Sequence, residues 1–139
     1  MILLDTNVIS ALMQRTPEPA IVNWLDSQPA ESIWTTSITV FEVQTGLELL
    51  EPGRRRQQLQ DAFEQLLAYD FQGRVQPFDQ PAAIAAGRIA AERQRAGRTA
   101  AIRDVQIAAI TSVRKATLAT RNTRHFEATG IRLINPWEP

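Results

Sequence analysis

The chain has 139 residues, equal numbers of basic and acidic side chains, and a formal net charge of zero. This length fits a single domain, residues 1–139, with a substantial buried core. The charge balance argues against a protein that mainly coats nucleic acid non-specifically. With no cysteine and one histidine, disulfides, thiolate nucleophiles and sulfur-bound metal centres are excluded, and any metal is expected to be bound mainly by oxygen atoms. We expect a cytoplasmic protein without a membrane segment.

Short apolar strands alternate with helices along the chain. Cap residues, proline and glycine mark the helix ends, and β-branched runs mark the strands. In chain order, the sequence predicts a strand at 2–4, helices at 8–14 and 20–26, a strand at 32–36, helices from a Ser37 or Thr39 cap to Glu51 and at 54–69, a strand at 75–78, helices from Asp79 to Arg95 and at about 100–113, and strands at 117–120 and 131–134. This alternation predicts an α/β fold with a mainly parallel central sheet flanked by helices on both faces.

Three carboxylates occupy positions where an acid is costly. Asp5 ends the first apolar run, Glu42 lies within 40–43, and Asp104 lies in the apolar helix 100–113. An acid bordered by buried surface needs a compensating partner, and a hard divalent cation is one. Each acid also has an ordinary interpretation: Asp5 as a helix cap, Glu42 as an exposed helix residue, and Asp104 as a charge favoured at a helix N-terminus.

The predicted topology brings these acids to one edge of the sheet. In a parallel sheet, the segments after the strands meet at the carboxyl edge, where ligands bind. Asp5 and Asn122 follow the first and fourth strands, and Glu42 and Asp104 lie in early turns of helices. Gly46, one turn after Glu42, is unfavourable inside a helix, which suggests that another element or a ligand approaches there. The sequence therefore predicts a metal site at this edge.

Several segments together resemble a PIN domain. They are Leu3-Leu4-Asp5-Thr6-Asn7-Val8-Ile9, Thr39-Val40-Phe41-Glu42-Val43-Gln44-Thr45-Gly46, Asp104-Val105-Gln106-Ile107-Ala108-Ala109, and the ending Leu118 to Phe126 with Asn135-Pro136-Trp137. More narrowly, the chain is similar to the VapC or FitB type toxin ribonucleases of bacterial toxin–antitoxin pairs. The resemblance spans essentially the whole chain in the expected order. It implies a PIN-like α/β/α sandwich.

The resemblance also implies an endoribonuclease that depends on Mg²⁺ or Mn²⁺, with Asp5, Glu42 and Asp104 in the family's acidic positions. Asp5 and Asp104 are the expected principal metal ligands. Glu42 is expected to complete the metal's shell or to position the attacking water. Thr6 and Asn7 are expected to hold the Asp5 side chain in position.

The chain departs from the family pattern after the fourth predicted strand. Many members supply a fourth acid there, whereas this chain has Asn122, and His125 stands before Phe126 where close relatives often have aspartate. The number of metal ions, one or two, therefore stays open. Asn122 is expected to bind metal through its carbonyl oxygen or to hold the attacking water. For His125 a structural or surface role is expected ahead of a catalytic one.

Arginine supplies nearly all of the positive charge, in clusters. A single arginine more often belongs to a solvated helix face, but four lie near the proposed site in sequence and are expected to position the RNA backbone: Arg98, Arg103, Arg121 and Arg124. The resemblance further implies an RNA substrate, a homodimer, and a cognate antitoxin of the VapB or FitA type whose tail lies in the active-site groove. Which RNA is cut is not predicted.

Three other interpretations stay open on sequence alone. A phosphohydrolase of the haloacid-dehalogenase kind also has an aspartate after its first strand, but Asn7 stands where its second acid is expected. A receiver-like domain needs a distant lysine, for which only Lys115 is available. The third is a catalytically weakened PIN-like RNA-binding module, in which Asn122 in place of a fourth acid would reflect the loss of activity. Metal-dependent RNA cleavage distinguishes the nuclease from all three.

Overall fold

The computed structural model describes residues 1–139, which form five strands and six α-helices. In chain order these are β1 (Ile2–Leu4), α1 (Thr6–Leu12), α2 (Pro19–Asp26), β2 (Ile33–Thr36), α3 (Ser37–Leu49), α4 (Arg54–Gln65), β3 (Val75–Gln76), α5 (Gln80–Arg95), α6 (Ile102–Val113), β4 (Thr117–Ala119) and β5 (Arg132–Ile134). Short 3-10 turns lie at Ala30–Ser32, Thr123–His125 and Glu127–Thr129, and a π-helical turn spans Leu66–Asp70. None of the helices combines the length and the apolar character that a membrane crossing needs.

All five strands are parallel and lie in the order β3-β2-β1-β4-β5. In the central strand β1, Ile2 is paired with Ile33 on one side and with Thr117 on the other. The chain leaves β1 towards β2 and β3 and later returns to β4 on the opposite side. The strand order therefore reverses between β1 and β4, and such a reversal opens a ligand crevice at the carboxyl ends of the strands.

Alternation along β1 divides the core into two layers. Leu3 and Leu4 are both 0% exposed and point to opposite faces, because successive strand residues alternate. Leu4 packs in one cluster with Ile9 of α1 and Phe63 of α4. Leu3 packs in another with Ile107 of α6. Helices α1 to α4 thus cover one face of the sheet and α5 and α6 the other, which confirms the predicted α/β/α sandwich.

Two helix starts differ from the prediction because of their caps. Helix α1 begins two residues earlier than expected, since the Asp5 carboxylate accepts the backbone N–H of Thr6 at 2.8 Å and starts the helix directly. Helix α3 is capped by Thr36, and the predicted caps Ser37 and Thr39 were wrong. The Thr36 hydroxyl accepts the backbone N–H of Thr39 at 3.1 Å. Asp5 directly follows β1 and Thr36 is the last residue of β2, so strand and helix join without a loop.

The ends of other helices and strands also differ from the prediction. The predicted helix 54–69 is α-helical only to Gln65, and it continues as the π-helical turn, in which the N–H of Phe71 donates to the carbonyl of Leu66 at 2.8 Å. Strand β3 stops at Gln76 because the next residue, Pro77, has no N–H to continue the pairing. The predicted strand 117–120 ends one residue early, which frees Thr120 for the site described below.

Candidate active site

Asp5 lies at the crevice between β1 and β4. Its backbone N–H donates to the carbonyl of Ala119 at 3.0 Å, so the residue is anchored to both strands. One carboxylate oxygen caps α1 through Thr6, and the other accepts the Thr120 hydroxyl at 2.7 Å and the Asn7 side-chain amide at 3.3 Å. The residue is 5% exposed. Asp5 is therefore a helix cap and, at the same time, a buried acid at the expected ligand-binding edge.

Thr120 joins the segments that follow β1 and β4, and the sequence-based search for site residues missed it. It is 0% exposed. Its hydroxyl donates to Asp5 and accepts from the Asn7 side-chain amide at 3.2 Å and from the Asn122 backbone N–H at 3.1 Å. The available signal was a polar residue, Thr120, at the end of the fourth strand. Because its side chain is β-branched, it was counted as part of the predicted strand 117–120 and not as a site residue.

Asn7 connects the same two segments from the other side. While its amide donates to Asp5 and Thr120, its carbonyl oxygen accepts the backbone N–H of Arg121 at 3.0 Å. The side chain thus has partners for both its donor and its acceptor atoms. An aspartate at this position would lose both donated bonds, so the local hydrogen bonding itself favours an amide here.

Glu42 approaches Asp5 from α3. One of its carboxylate oxygens accepts the Thr6 hydroxyl at 2.8 Å, and the other lies 3.8 Å from a guanidinium nitrogen of Arg103. The expectation that another element of the fold closely approaches Gly46 was wrong. A Cβ atom added at Gly46 would meet no atom within 4 Å, so packing does not require glycine there.

Asp104 stands in the first turn of α6, and a basic pair from two other segments surrounds it. Its carboxylate lies 3.4 Å from Nδ1 of His125. Arg93 of α5 donates to the carbonyl of His125 at 3.0 Å, while its Nε is buried without a hydrogen-bond partner. The sequence did not single out Arg93, because nothing distinguished it from the other arginines of α5. His125 has a side chain that is 56% exposed and nevertheless contacts the acid.

The surroundings raise the pKa of two of the acids. Burial raises the pKa of Asp5, the hydrogen bonds from Thr120 and Thr6 oppose this, and the negative charges of Asp104 and Glu42 raise it further. Burial also raises the pKa of Asp104, against the opposing effects of His125 and Arg93. Both outer carboxylates thus add to the effect of burial on Asp5.

The donor set suits a hard cation, although its present arrangement is not a closed metal site. No three acidic or histidine side chains are gathered closely enough to hold a metal ion as they stand. Thr6 contacts Glu42, and His125 contacts Asp104. Mg²⁺ is usually bound by only one or two carboxylates and keeps several waters. A cation would also relieve the repulsion that raises the pKa of Asp5. A bound ion would compete with Thr6 for Glu42 and with His125 for Asp104.

The remaining predicted residues lie around this cluster. Asn122 contacts it through its backbone N–H, and its carboxamide makes no hydrogen bond to the three acids. Arg98 and Arg124 line an open cavity of about 560 Å³ that also contains Asp104. The other two arginines each lie on an aromatic ring: the guanidinium carbon of Arg103 is 4.8 Å from the ring centre of Phe41, and that of Arg121 is 4.4 Å from the ring centre of Trp137.

Comparison with known proteins gives the family. The sequence model of the PIN domain matches residues 2–131. The chain belongs to the PIN-domain family. It is 39% identical over 139 residues to the VapC ribonuclease Y4jK of Sinorhizobium fredii, covering 100% of this chain and 99% of the relative. It is also 39% identical over 137 residues to the toxin FitB of Neisseria gonorrhoeae, covering 99% of each.

A solved structure agrees with this assignment. The crystal structure of FitAcB from Neisseria gonorrhoeae matches this PIN domain with a TM-score of 0.89 and 38% identity, covering 100% of both chains. The family resemblance inferred from the motifs is thus confirmed. The PIN assignment leaves no support for the dehalogenase-like and receiver-like interpretations.

Proposed function

We propose that this PIN-domain protein is a Mg²⁺- or Mn²⁺-dependent endoribonuclease and the toxin of a toxin–antitoxin pair. The observation that carries the proposal is the position of Asp5, a 5% exposed carboxylate at the sheet crevice that is linked to Glu42 through hydrogen bonds from Thr6 to both acids. Such a cluster of acids is destabilising on its own and useful when a cation binds. A relative with 39% identity over the whole chain is named a VapC ribonuclease, which supports the same reaction.

In this mechanism Asp5 and Asp104 would hold the cation, and Glu42 would complete its shell or orient the attacking water. When bound, such a cation would make hydroxide more available and stabilise negative charge on the leaving oxygen. The Thr6 hydroxyl donates to one oxygen of Glu42, and the other oxygen, 3.8 Å from Arg103, would accept a proton from the water. Asn122 supplies a further oxygen for the water or the metal.

Basic side chains around the acids bind the substrate backbone. Arg98 and Arg124 share the open cavity with Asp104, so a phosphate that enters this cavity meets positive charge next to the cleavage site. A guanidinium group makes forked hydrogen bonds to phosphate oxygens. Such contacts position a strand without selecting its sequence, and this local basic lining explains how a chain of zero net charge attracts RNA.

The direct test is cleavage of a mixed-sequence RNA pool. We expect Mg²⁺ to support cleavage, EDTA to abolish it, and an excess of added Mn²⁺ to restore it, because the reaction needs a divalent cation. Denaturing electrophoresis of end-labelled RNA measures the products. Cleavage that persists in EDTA would contradict the metal-dependent mechanism. RNA binding without cleavage under any of these conditions would instead favour the weakened binding module.

We also propose a homodimer and an antitoxin of the VapB or FitA type as partners. The acidic cluster suits an inhibitor whose basic tail enters the groove and places an arginine against the carboxylates. Expression of the chain in a bacterial host is expected to arrest growth, and co-expression of the small protein encoded beside it is expected to restore growth. Growth arrest by an Asp5→Asn variant expressed at the same level would show that the arrest does not come from this site.

A further inference from the structure

Phe41 is a large exposed aromatic residue beside the proposed site. It precedes Glu42 on α3 and is 57% exposed. The hydrophobic clusters on the two faces of the sheet do not include it. The ring therefore contributes little to the core, and its apolar surface faces solvent next to the acids.

The ring does have one partner, Arg103 of α6. The guanidinium lies over the ring face, 4.8 Å from its centre, and one of its nitrogens is 3.8 Å from the carboxylate of Glu42. The Arg103 side chain is 42% exposed. A single exposed aromatic residue is ordinary on a protein surface. An exposed ring and a half-exposed guanidinium held together against an active-site acid have a more specific use.

Unpaired nucleobases are recognised by this combination of groups. Bases of single-stranded RNA stack on aromatic rings and on guanidinium planes, and the positive charge attracts the neighbouring phosphate. A base inside a duplex is already stacked and does not reach such a surface. Resting on the ribonuclease function proposed above, we propose that Phe41 and Arg103 form a stacking platform for an unpaired base adjacent to the phosphate that is cleaved.

The position of the platform defines one side of the substrate path. Helix α3 follows β2, which lies beside β1 on the side away from β4. The second guanidinium–aromatic pair, Arg121 with Trp137, follows β4 and β5 on the opposite side. Trp137 is tied into the fold because its indole N–H donates to the carboxylate of Glu18 at 3.2 Å. Phe41 has no such bond and is 57% exposed, so the part of its ring that Arg103 does not cover is open to a base.

Stacking on a ring is tolerant of base identity, because every base has a π-face. The platform therefore selects unpaired RNA over paired RNA and contributes little to the choice among the four bases. A protein partner that covers Phe41 is the competing explanation for the exposed ring.

A fluorescent base tests the platform directly. Short single-stranded RNAs carry 2-aminopurine at one position each, and the protein is titrated in EDTA so that binding is measured without cleavage. We expect binding to quench the fluorescence at one position. Phe41→Ala should abolish that quenching and weaken binding by roughly tenfold, the loss expected for one base stack. Phe41→Tyr should retain both effects, and Phe41→Leu should lose the quenching although it keeps apolar surface.

Tyr69→Ala is the matched control. Tyr69 is 75% exposed and lies on the π-helical turn that precedes β3, away from the carboxyl edge of the sheet, so its removal should leave quenching and affinity unchanged. Equal quenching in wild type and Phe41→Ala would overturn the platform, as would a change in oligomeric state or antitoxin binding as the only effect of Phe41→Ala.

The same experiment separates this proposal from the proposed function. Phe41-dependent quenching by a protein that does not cleave the RNA pool supports the platform and contradicts the ribonuclease. Cleavage without Phe41-dependent quenching supports the ribonuclease and overturns the platform. The absence of any RNA binding by the wild-type protein overturns the platform as well.

Discussion

Replacement of Asp5 by asparagine is expected to lower the rate of RNA cleavage by on the order of 10³-fold, the loss seen when one main electrostatic contact to a transition state is removed. Asp104→Asn is expected to have an effect of similar size. In both variants a neutral amide replaces a charged oxygen ligand, while the shape of the side chain is kept. Glu42→Gln should lower the cleavage rate by a smaller factor, because this residue completes the site or orients water. Initial rates on an end-labelled RNA pool with Mg²⁺ measure these effects.

Asp61→Asn is the matched control for this series. Asp61 lies on α4, is exposed, and bonds only to Gln57 within the same helix, so its replacement should leave the rate unchanged. Thermal unfolding of each variant confirms that the fold is retained. An Asp5→Asn or Asp104→Asn protein that folds normally and keeps more than about a tenth of the wild-type rate would contradict the assigned roles, since loss of even one such contact costs far more.

Thr120→Val is expected to destabilise the protein by about 2–3 kcal/mol at neutral pH, the range for a lost hydrogen bond to a charged group. The substitution keeps the shape of the side chain but removes the hydroxyl that serves Asp5, Asn7 and Asn122. All of these bonds lie in or beside a fully buried position. For a chain of this size the midpoint of thermal unfolding should fall by roughly 10 °C.

The pH dependence of this effect has a defined sign. The Thr120 hydrogen bond lowers the pKa of Asp5 against the effect of burial, so its loss raises the pKa of the folded variant further. A folded-state pKa above the unfolded value means that stability falls as pH rises from the unfolded pKa through the folded one. The stability of the variant should therefore be closest to that of the wild type at a pH near or below the ordinary pKa of aspartate. The difference in stability should be largest at a pH above the raised pKa.

Thr120→Ser keeps the hydroxyl and is the control for these measurements. Calorimetric or optical unfolding curves across acidic and neutral pH should show a small, pH-independent change for Thr120→Ser. An equally small, pH-independent change for Thr120→Val would mean that the hydroxyl does not stabilise the Asp5 carboxylate.

The general fold was predictable because its signals are local. Leu3 and Leu4 lie in a short apolar run that ends at a good cap, and this pattern specifies a buried strand followed by a helix. Strand and helix alternation then implies a parallel sheet, and a parallel sheet brings Asp5, Glu42 and Asp104 towards one edge. The prediction that these acids bind a metal stays a prediction.

The details of the site were not predictable, because they depend on contacts between distant segments. Thr120 and Asp5 are separated by 115 positions, and neither residue alone indicates the bond between them. Arg93 and His125 meet near Asp104 only after α5 and the 3-10 turn have packed together. The close approach of another element inferred from Gly46 was wrong for the opposite reason: an unfavourable glycine in a helix has a local cost, but it does not indicate what surrounds it.

The central claim is that Asp5, Glu42 and Asp104, at the carboxyl edge of the sheet, bind a divalent cation on which RNA cleavage depends. Diffraction from crystals soaked in Mn²⁺, measured at a wavelength where manganese scatters anomalously, locates such an ion directly. We predict an anomalous peak within direct bonding distance of carboxylate oxygens of both Asp5 and Asp104. A peak that is absent from this edge, or that contacts neither carboxylate, would contradict the claim.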